Sequence, residues 1–362
     1  MGVCFGMKQK QLWINQIKGM CICLVVIYHS VITFYPNLTG LDNHLAVLVS
    51  KAWVYFNLYL APFRMPVFFF ISGYLIRRYI SEVPWKQCLD KRVLSILYVL
   101  VLWGAVQWLG LRQLNEWLAP ERDISDISNA AYAESLGEFL YGMITASTSL
   151  WYLYALIVYF VIFKAFYRFR VALFVVLVGL SIIINFLPTP WWGLNSVIRN
   201  MPYYSLGAFF GGPLIDSIKA WRPRRLPIFA LLLVASVPFY FLNVPLFISL
   251  LSIVAIMKLF YLYEQWRGAN ENSLFNVIGS NTIAVYTTHR ILIEAMSLVL
   301  VAKINRDAFS DTLLLALLLV YPFISLALCT LVGLGVRKFS TLFVNDALFS
   351  PPKPLMVNSD AR

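Results

Sequence analysis

Charge is scarce in this chain, and what there is leans to one sign. Asp, Glu, Lys and Arg make up 13% of its 362 residues, against 60% hydrophobic and 16% aromatic residues. A soluble domain of this length carries about 25% charge, so a water-soluble globular fold is excluded. Cysteine is equally sparse: Cys4, Cys21, Cys23, Cys88 and Cys329 are odd in number and fall in apolar runs or beside basic segments. That pattern excludes an extracytoplasmic disulfide framework. Cys21-Ile-Cys23 has neither zinc nor redox spacing, and on a helix it reads as a pair of small packing residues. No metal centre is expected.

What the chain does have is uncharged runs, each long enough to cross a hydrocarbon core of about 30 Å. Spans are predicted near 17–35, 54–76, 91–111, 150–167, 171–187, 198–214, 226–242, 246–263, 280–300 and 312–335. The fold class is therefore all-α: a polytopic integral membrane helical bundle of about ten transmembrane helices in contact with the lipid bilayer. The connections "RRYISEVPWKQCLDKR", "KAFYRFR", "DSIKAWRPRR" and "VRK" are basic, whereas those at 36–52, 112–137, 188–197 and 302–311 are less so. This positive-inside asymmetry puts the basic side and both termini in the cytoplasm. It also accounts for the net charge of +12, so no nucleic acid is expected as a partner.

Residues 1–16 read as a cytoplasmic N-terminal segment, 17–335 as one transmembrane domain and 336–362 as a cytoplasmic tail predicted to be disordered. The start lacks the small-residue cleavage site of a signal peptide. Gly2 is followed by Gly6, where a myristoylation signal needs Ser or Thr. The longest outer segment, 112–149, is acidic at first and then amphipathic in "SLGEFLYGMITASTS", which predicts a loop with an interfacial or re-entrant helix. Trp117, Trp151, Trp191 and Trp192 fall near the outer boundary, where aromatic belts form.

Against this background a few ionisable residues stand out. At about 1.5 Å per residue, His29 lies roughly 16 Å above Lys18 at the inner interface, Arg64 roughly 19 Å above Arg77, and His289 roughly 15 Å along its own span. Three ionisable side chains on three helices thus reach similar depths, and intramembrane ionisable residues usually face a shared cavity. Arg290 adjoins His289 but points about 100° away. Pro62 and Pro66 bracket Arg64 and predict a kink or local unwinding there. Gly73, in "SGY", reads as close helix packing. His44 reads as a loop residue.

Lys18-x10-His29 in the first span, "RMPVFFFISGYLI" in the second, "SLWYLYAL" in the fourth, "RNMPYYSLG" in the sixth and "GSNTIAVYTTH" in the ninth resemble, in that order, the membrane acyltransferase family 3. The likeness runs from about residue 12 to 335. It implies ten transmembrane helices in a bacterial inner membrane and transfer of an acyl group, often acetyl from acetyl-CoA inside, to hydroxyls of envelope carbohydrates outside. It implies further that His29 is catalytic and that Arg64 supports it. Many members read His where this chain has Ser149, and many carry a fused extracytoplasmic domain that is absent from this sequence. Those departures bear on the acceptor more than on the chemistry.

The residues themselves agree with that chemistry. Acyl transfer to a hydroxyl needs a general base and donors for the oxyanion, roles open to His29 and Arg64. His289 fits a second base, a relay or an orienting partner. Lys18, Arg77, Arg78, Lys91 and Arg92 form a basic inner mouth suited to the phosphates of acyl-CoA, although positive-inside topology explains them equally. Trp151, Tyr152 and Arg199 are candidates for holding a carbohydrate or glycolipid acceptor. A second reading is a secondary transporter in which His29, Arg64 and His289 bind or relay a proton or anion. Transporters often show interrupted helices in corresponding halves, and here only the second span is interrupted. No segment speaks to oligomeric state.

Overall fold

A computed structural model describes residues 11–39, 41, 43–124, 128–306 and 309–352. Among them every regular element is helical: α1 Leu12–Phe34, α2 His44–Ser81, α3 Trp85–Leu89, α4 Ser95–Leu118, α5 Leu136–Ile144, α6 Trp151–Ala165, α7 Arg170–Phe186, α8 Trp192–Ser205, α9 Gly211–Lys219, α10 Leu226–Phe241, α11 Leu246–Arg267, α12 Leu274–Ser280, α13 Thr282–Ile304 and α14 Asp311–Phe343. Among the described residues seven helical rods are long and apolar enough to cross a membrane, and α6 and α10 are shorter apolar helices. The remaining rod joins α8 to α9 through a π-helical turn at Leu206–Phe210. A second π turn, Asp90–Leu94, joins α3 to α4.

The second span begins ten residues before its apolar run, at His44 rather than 54. The cause is a cap: Asn43 Oδ1 accepts from the amides of Leu45 and Ala46 at 2.9 and 3.3 Å, which satisfies two of the free donors of the first turn. His44 is thus the first helical residue, not a loop residue. The expected unwinding does not occur either, because α2 runs unbroken through Pro62 and Pro66. Each proline removes one backbone donor, and the surrounding helices hold the rod in place. At its far end Lys164 Nζ donates to the carbonyls of Tyr79 and Val83 at 2.6 and 2.5 Å, closing the exposed C-terminal turn of α2.

Close backbone approach brings α2 against the π turn. A Cβ on Gly73 would lie 2.0 Å from the Tyr204 carbonyl oxygen, and one on Gly207 would lie 2.0 Å from that of Phe70. Each glycine therefore admits the other helix's backbone, and Gly73 is the packing residue its sequence context implies. Around the outside, α10 buries only Ser236 while Leu231, Val234 and Phe241 are exposed, the surface expected of a helix facing lipid.

The helical rod of α14 continues to Phe343, beyond the tail boundary at 336. The chain then folds back on α4: Tyr98 OH and Trp103 Nε1 each donate at 2.8 Å, to the carbonyls of Ala347 and Leu348. Phe349 stacks on Trp103. Residues 353–362 of the tail, and residues 1–10 of the N-terminal segment, lie outside the described residues. In the outer segment the amphipathic stretch folds as α5, capped by Ser135 Oγ on the Glu138 amide at 3.2 Å. It exposes Leu136, Leu140, Tyr141 and Ile144, as an interfacial helix does.

Candidate functional site

The helices enclose a cavity of about 500 Å³ whose walls include His29, Arg64, Trp151, Trp192, Tyr286 and Arg290. Helix α1 supplies His29, α2 supplies Arg64, and α13 supplies Tyr286 and Arg290. Ser128 and Asn129 of the outer segment, Ser149 and Ser196 complete the polar lining. The outer segment is tied down over the cavity by named bonds. Asn129 Nδ2 donates to Ser149 Oγ at 3.1 Å, and Ala130 N to Ser147 O at 2.7 Å. The Trp192 indole donates to the Ser128 carbonyl. Gly193 makes room for the loop, since a Cβ there would meet the Ala146 carbonyl oxygen at 1.8 Å.

Two of the three ionisable residues that depth had grouped line this cavity, and the third lies against them. The imidazoles of His29 and His289 are 5.0 Å apart between ring centroids, inclined at 50°. His289 is fully buried, and its Nδ1 lies 2.6 Å from the Tyr286 carbonyl oxygen. A carbonyl only accepts, so Nδ1 carries the proton and Nε2 the lone pair. The Arg64 guanidinium sits 4.1 Å above the Tyr28 ring and donates to Asn57 Oδ1 at 3.5 Å. It is 6% exposed, and no carboxylate pairs with it among the described residues.

A second charged group gathers around Arg290, and two of its members, Glu294 and Arg122, were not singled out in the sequence. Arg290 donates to Thr33 Oγ1 at 2.7 Å and to the Tyr132 hydroxyl at 2.6 Å. Its other anchor is Glu294, 3.2 Å away, a charge contact outside good hydrogen-bond alignment. Glu294 in turn takes Arg122 of the outer segment at 2.5 Å. The available signal was the spacing Arg290-x3-Glu294, which puts both charges on one helix face. Arg122 had no such signal, because a loop has no period. Arg290 does point to other neighbours than His289, yet it reaches the same cavity.

The other candidates scatter. Trp151 lines the cavity, but Tyr152 lies behind its wall. The Tyr152 ring stacks on Phe68 at 4.5 Å and its hydroxyl is 2.7 Å from Ser72 Oγ. Arg199 belongs to the α7–α8 contact, where its Nε donates to Asn185 Oδ1 at 2.6 Å. The five basic residues are elsewhere again. Arg77 covers the Tyr74 ring at 3.9 Å, Arg92 covers Tyr79 at 4.0 Å, and Arg78 pairs with Glu82 at 3.1 Å. Lys91 is exposed, and half-buried Lys18 donates to Asn15 Oδ1 at 3.5 Å. None of the five lines the cavity. Of the four tryptophans expected at the boundary, Trp117 is exposed, while Trp151 and Trp192 turn inward.

A helical membrane bundle with a partly closed cavity lined by His29, Arg64 and Arg290, and with His289 buried behind His29, defines a membrane-embedded site for polar chemistry. The particular kind follows from comparison with known proteins: the Acyltransferase domain family (acyltransferase 3) matches residues 11–334, and the chain belongs to that family of membrane acyltransferases. It is 65% identical over 347 residues to the inner membrane protein YcfT of Escherichia coli (strain K12), covering 96% of this chain and 97% of that protein. No solved structure gives a significant match.

Proposed function

We propose that the chain moves an acyl group, acetyl in the simplest case, from acyl-CoA to a hydroxyl of an envelope carbohydrate or glycolipid. Its place would be the bacterial inner membrane, where its relative's name puts that protein. The observation that carries this reading is the shared cavity. His29 and Arg64 face the same space as Trp151, Trp192, Ser128, Asn129, Ser149 and Ser196, a lining of aromatic faces and hydroxyl or amide groups that suits a sugar. About 500 Å³ is within the usual range for small-molecule sites, roughly 300–1,000 Å³.

In this reading His29 removes the proton of the acceptor hydroxyl as its oxygen attacks the thioester carbonyl. The carbonyl oxygen becomes an oxyanion, which the Arg64 guanidinium is charged to stabilise. The carbon–sulfur bond then breaks, and the departing thiolate takes the proton from His29, which returns the imidazole to its neutral form. The products are an O-acyl ester and free coenzyme A. Lys18, Arg77, Arg78, Lys91 and Arg92 lie on the side assigned to the cytoplasm by charge, where they would attract the phosphates of the donor. Tyr152 would support the wall behind Trp151, and Arg199 would hold α8 against α7 rather than touch the acceptor.

Two measurements test this. Protein reconstituted in nanodiscs is expected to release coenzyme A from acetyl-CoA. Mass spectrometry of envelope glycans and lipids from cells with and without the gene is expected to differ by one acyl group. Absence of both, with transport of a proton or anion across proteoliposomes instead, would replace this reading with the transporter.

A further inference from the structure

We propose that His289 is a positioning residue that holds His29 as its Nδ1–H tautomer, so that the Nε2 lone pair of His29 faces the cavity. The inference rests on the reading of His29 as the base. It starts from two buried nitrogens: His29 Nδ1 and His289 Nε2 both lack a hydrogen-bond partner among the described residues. An unsatisfied buried polar atom is costly, and here two of them sit on adjacent rings. A ring nitrogen lies about 1.2 Å from its centroid, so a separation of 5.0 Å leaves room for one N–H···N bond of ordinary length. The two nitrogens are not bonded as the rings stand, and turning the His29 imidazole about χ2 is the motion that would close the bond.

The direction of that bond follows from the backbone. The Tyr286 carbonyl already holds the proton of His289 on Nδ1, so His289 Nε2 can only accept. His29 must then donate from Nδ1, which leaves its Nε2 unprotonated. His29 lines the cavity, and with Nδ1 turned to His289 its Nε2 is the nitrogen left to present a lone pair where the acceptor hydroxyl would bind. The chain Tyr286 carbonyl, His289, His29 thus performs with neutral groups what a carboxylate does for a catalytic histidine: it selects the tautomer and orients the ring. Arg290 and Arg64 are the charged groups near this pair, and Glu294, the acid on the same helix as His289, is engaged by Arg290 and Arg122. A neutral acceptor is the partner that His29 has left.

The chain has three histidines, so ¹⁵N-imidazole NMR of the whole protein in nanodiscs resolves each one, with exposed His44 as the internal reference. His29 and His289 are both expected as Nδ1–H tautomers. In His289→Leu, His29 is expected to become a mixture of tautomers, and coenzyme A release is expected to fall at least about 10-fold, as when the partner that fixes a histidine's tautomer is removed. The donor KM should stay unchanged. His289→Gln offers a carbonyl oxygen in the same place and is expected to restore the tautomer and most of the rate. A His29 that is Nε2–H in the wild type, or that keeps its tautomer in both variants, overturns the proposal. The NMR readout needs no turnover. The expected tautomers without any coenzyme A release would remove the acyl-transfer reading alone, whereas turnover with the wrong tautomer would remove the pairing alone.

Discussion

Arg122 and Glu294 meet at 2.5 Å across 172 residues of sequence, one in the outer segment and the other buried on α13. The pair clamps the outer segment to the helix that carries His289 and Arg290. Removing the carboxylate leaves Arg290 buried beside an unpaired neighbour, and breaking one partner of a buried ion pair costs about 3–5 kcal/mol. Glu294→Gln is expected to lower the thermal midpoint of the detergent-solubilised protein strongly. Arg122→Gln, whose side chain is 28% exposed, is expected to lower it less. Equal midpoints for wild type and Glu294→Gln would show that the network adds no stability.

Gly73→Ala is expected to reduce the yield of monodisperse protein, because the new methyl would meet the Tyr204 carbonyl oxygen at 2.0 Å. Backbone cannot yield as a side-chain tip can. Gly179→Ala, with nothing within 4 Å of the added atom, serves as the matched control and should behave as wild type. Size-exclusion profiles of the two variants decide the matter.

His29→Gln is expected to lower coenzyme A release by about 10²–10⁴, the range for loss of a general base, with the elution profile unchanged. Glutamine keeps hydrogen bonding at the site and cannot take a proton near neutral pH. Near-native turnover in this variant would make His29 a structural residue.

Lys18→Ala is expected to raise the donor KM by about ten- to a hundredfold if its ammonium makes a charged hydrogen bond to a phosphate, and Lys18→Arg should retain most activity. Steady-state kinetics with acetyl-CoA measure this directly. An unchanged KM would leave Lys18 with topology as its only task.

Orientation has its own test. In a background without native cysteines, Glu134→Cys in the outer segment is expected to react with an impermeant thiol reagent in intact cells. Arg168→Cys, between α6 and α7, is expected to react only after permeabilisation. The reverse pattern would invert the bundle and put the cavity's outer wall on the donor side.

How much of the site could be read beforehand depended on the kind of residue. His29, Arg64 and His289 were legible because a bilayer makes ionisable side chains expensive, so each stands out against an apolar span. Glu294 met the same criterion and was passed over; its i,i+4 relation to Arg290 is visible in "RILIE". Asn129 and Arg122 were not legible, since Asn129 reaches the cavity through loop conformation and Arg122 reaches Glu294 through a long-range ion pair. Arg199 was misleading for the complementary reason: near the outer end of its span, it spends its guanidinium on a neighbouring helix.

By itself the sequence determined that this protein is a polytopic helical membrane bundle and which ionisable residues interrupt its apolar spans. Those are properties along one helix axis, set by hydrophobic length and rise per residue. The start of α2 escaped it because a single Asn43 cap extends the helix beyond its apolar stretch. Only the tertiary structure decided which faces meet: that His29 lies against His289, that Arg290 joins the cavity through Thr33 and Tyr132, and that Tyr152 stands behind its wall. Lateral order in a bundle rests on side-chain fit and close approach, as at Gly73 and Gly207, and such contacts between distant segments leave no period in the sequence.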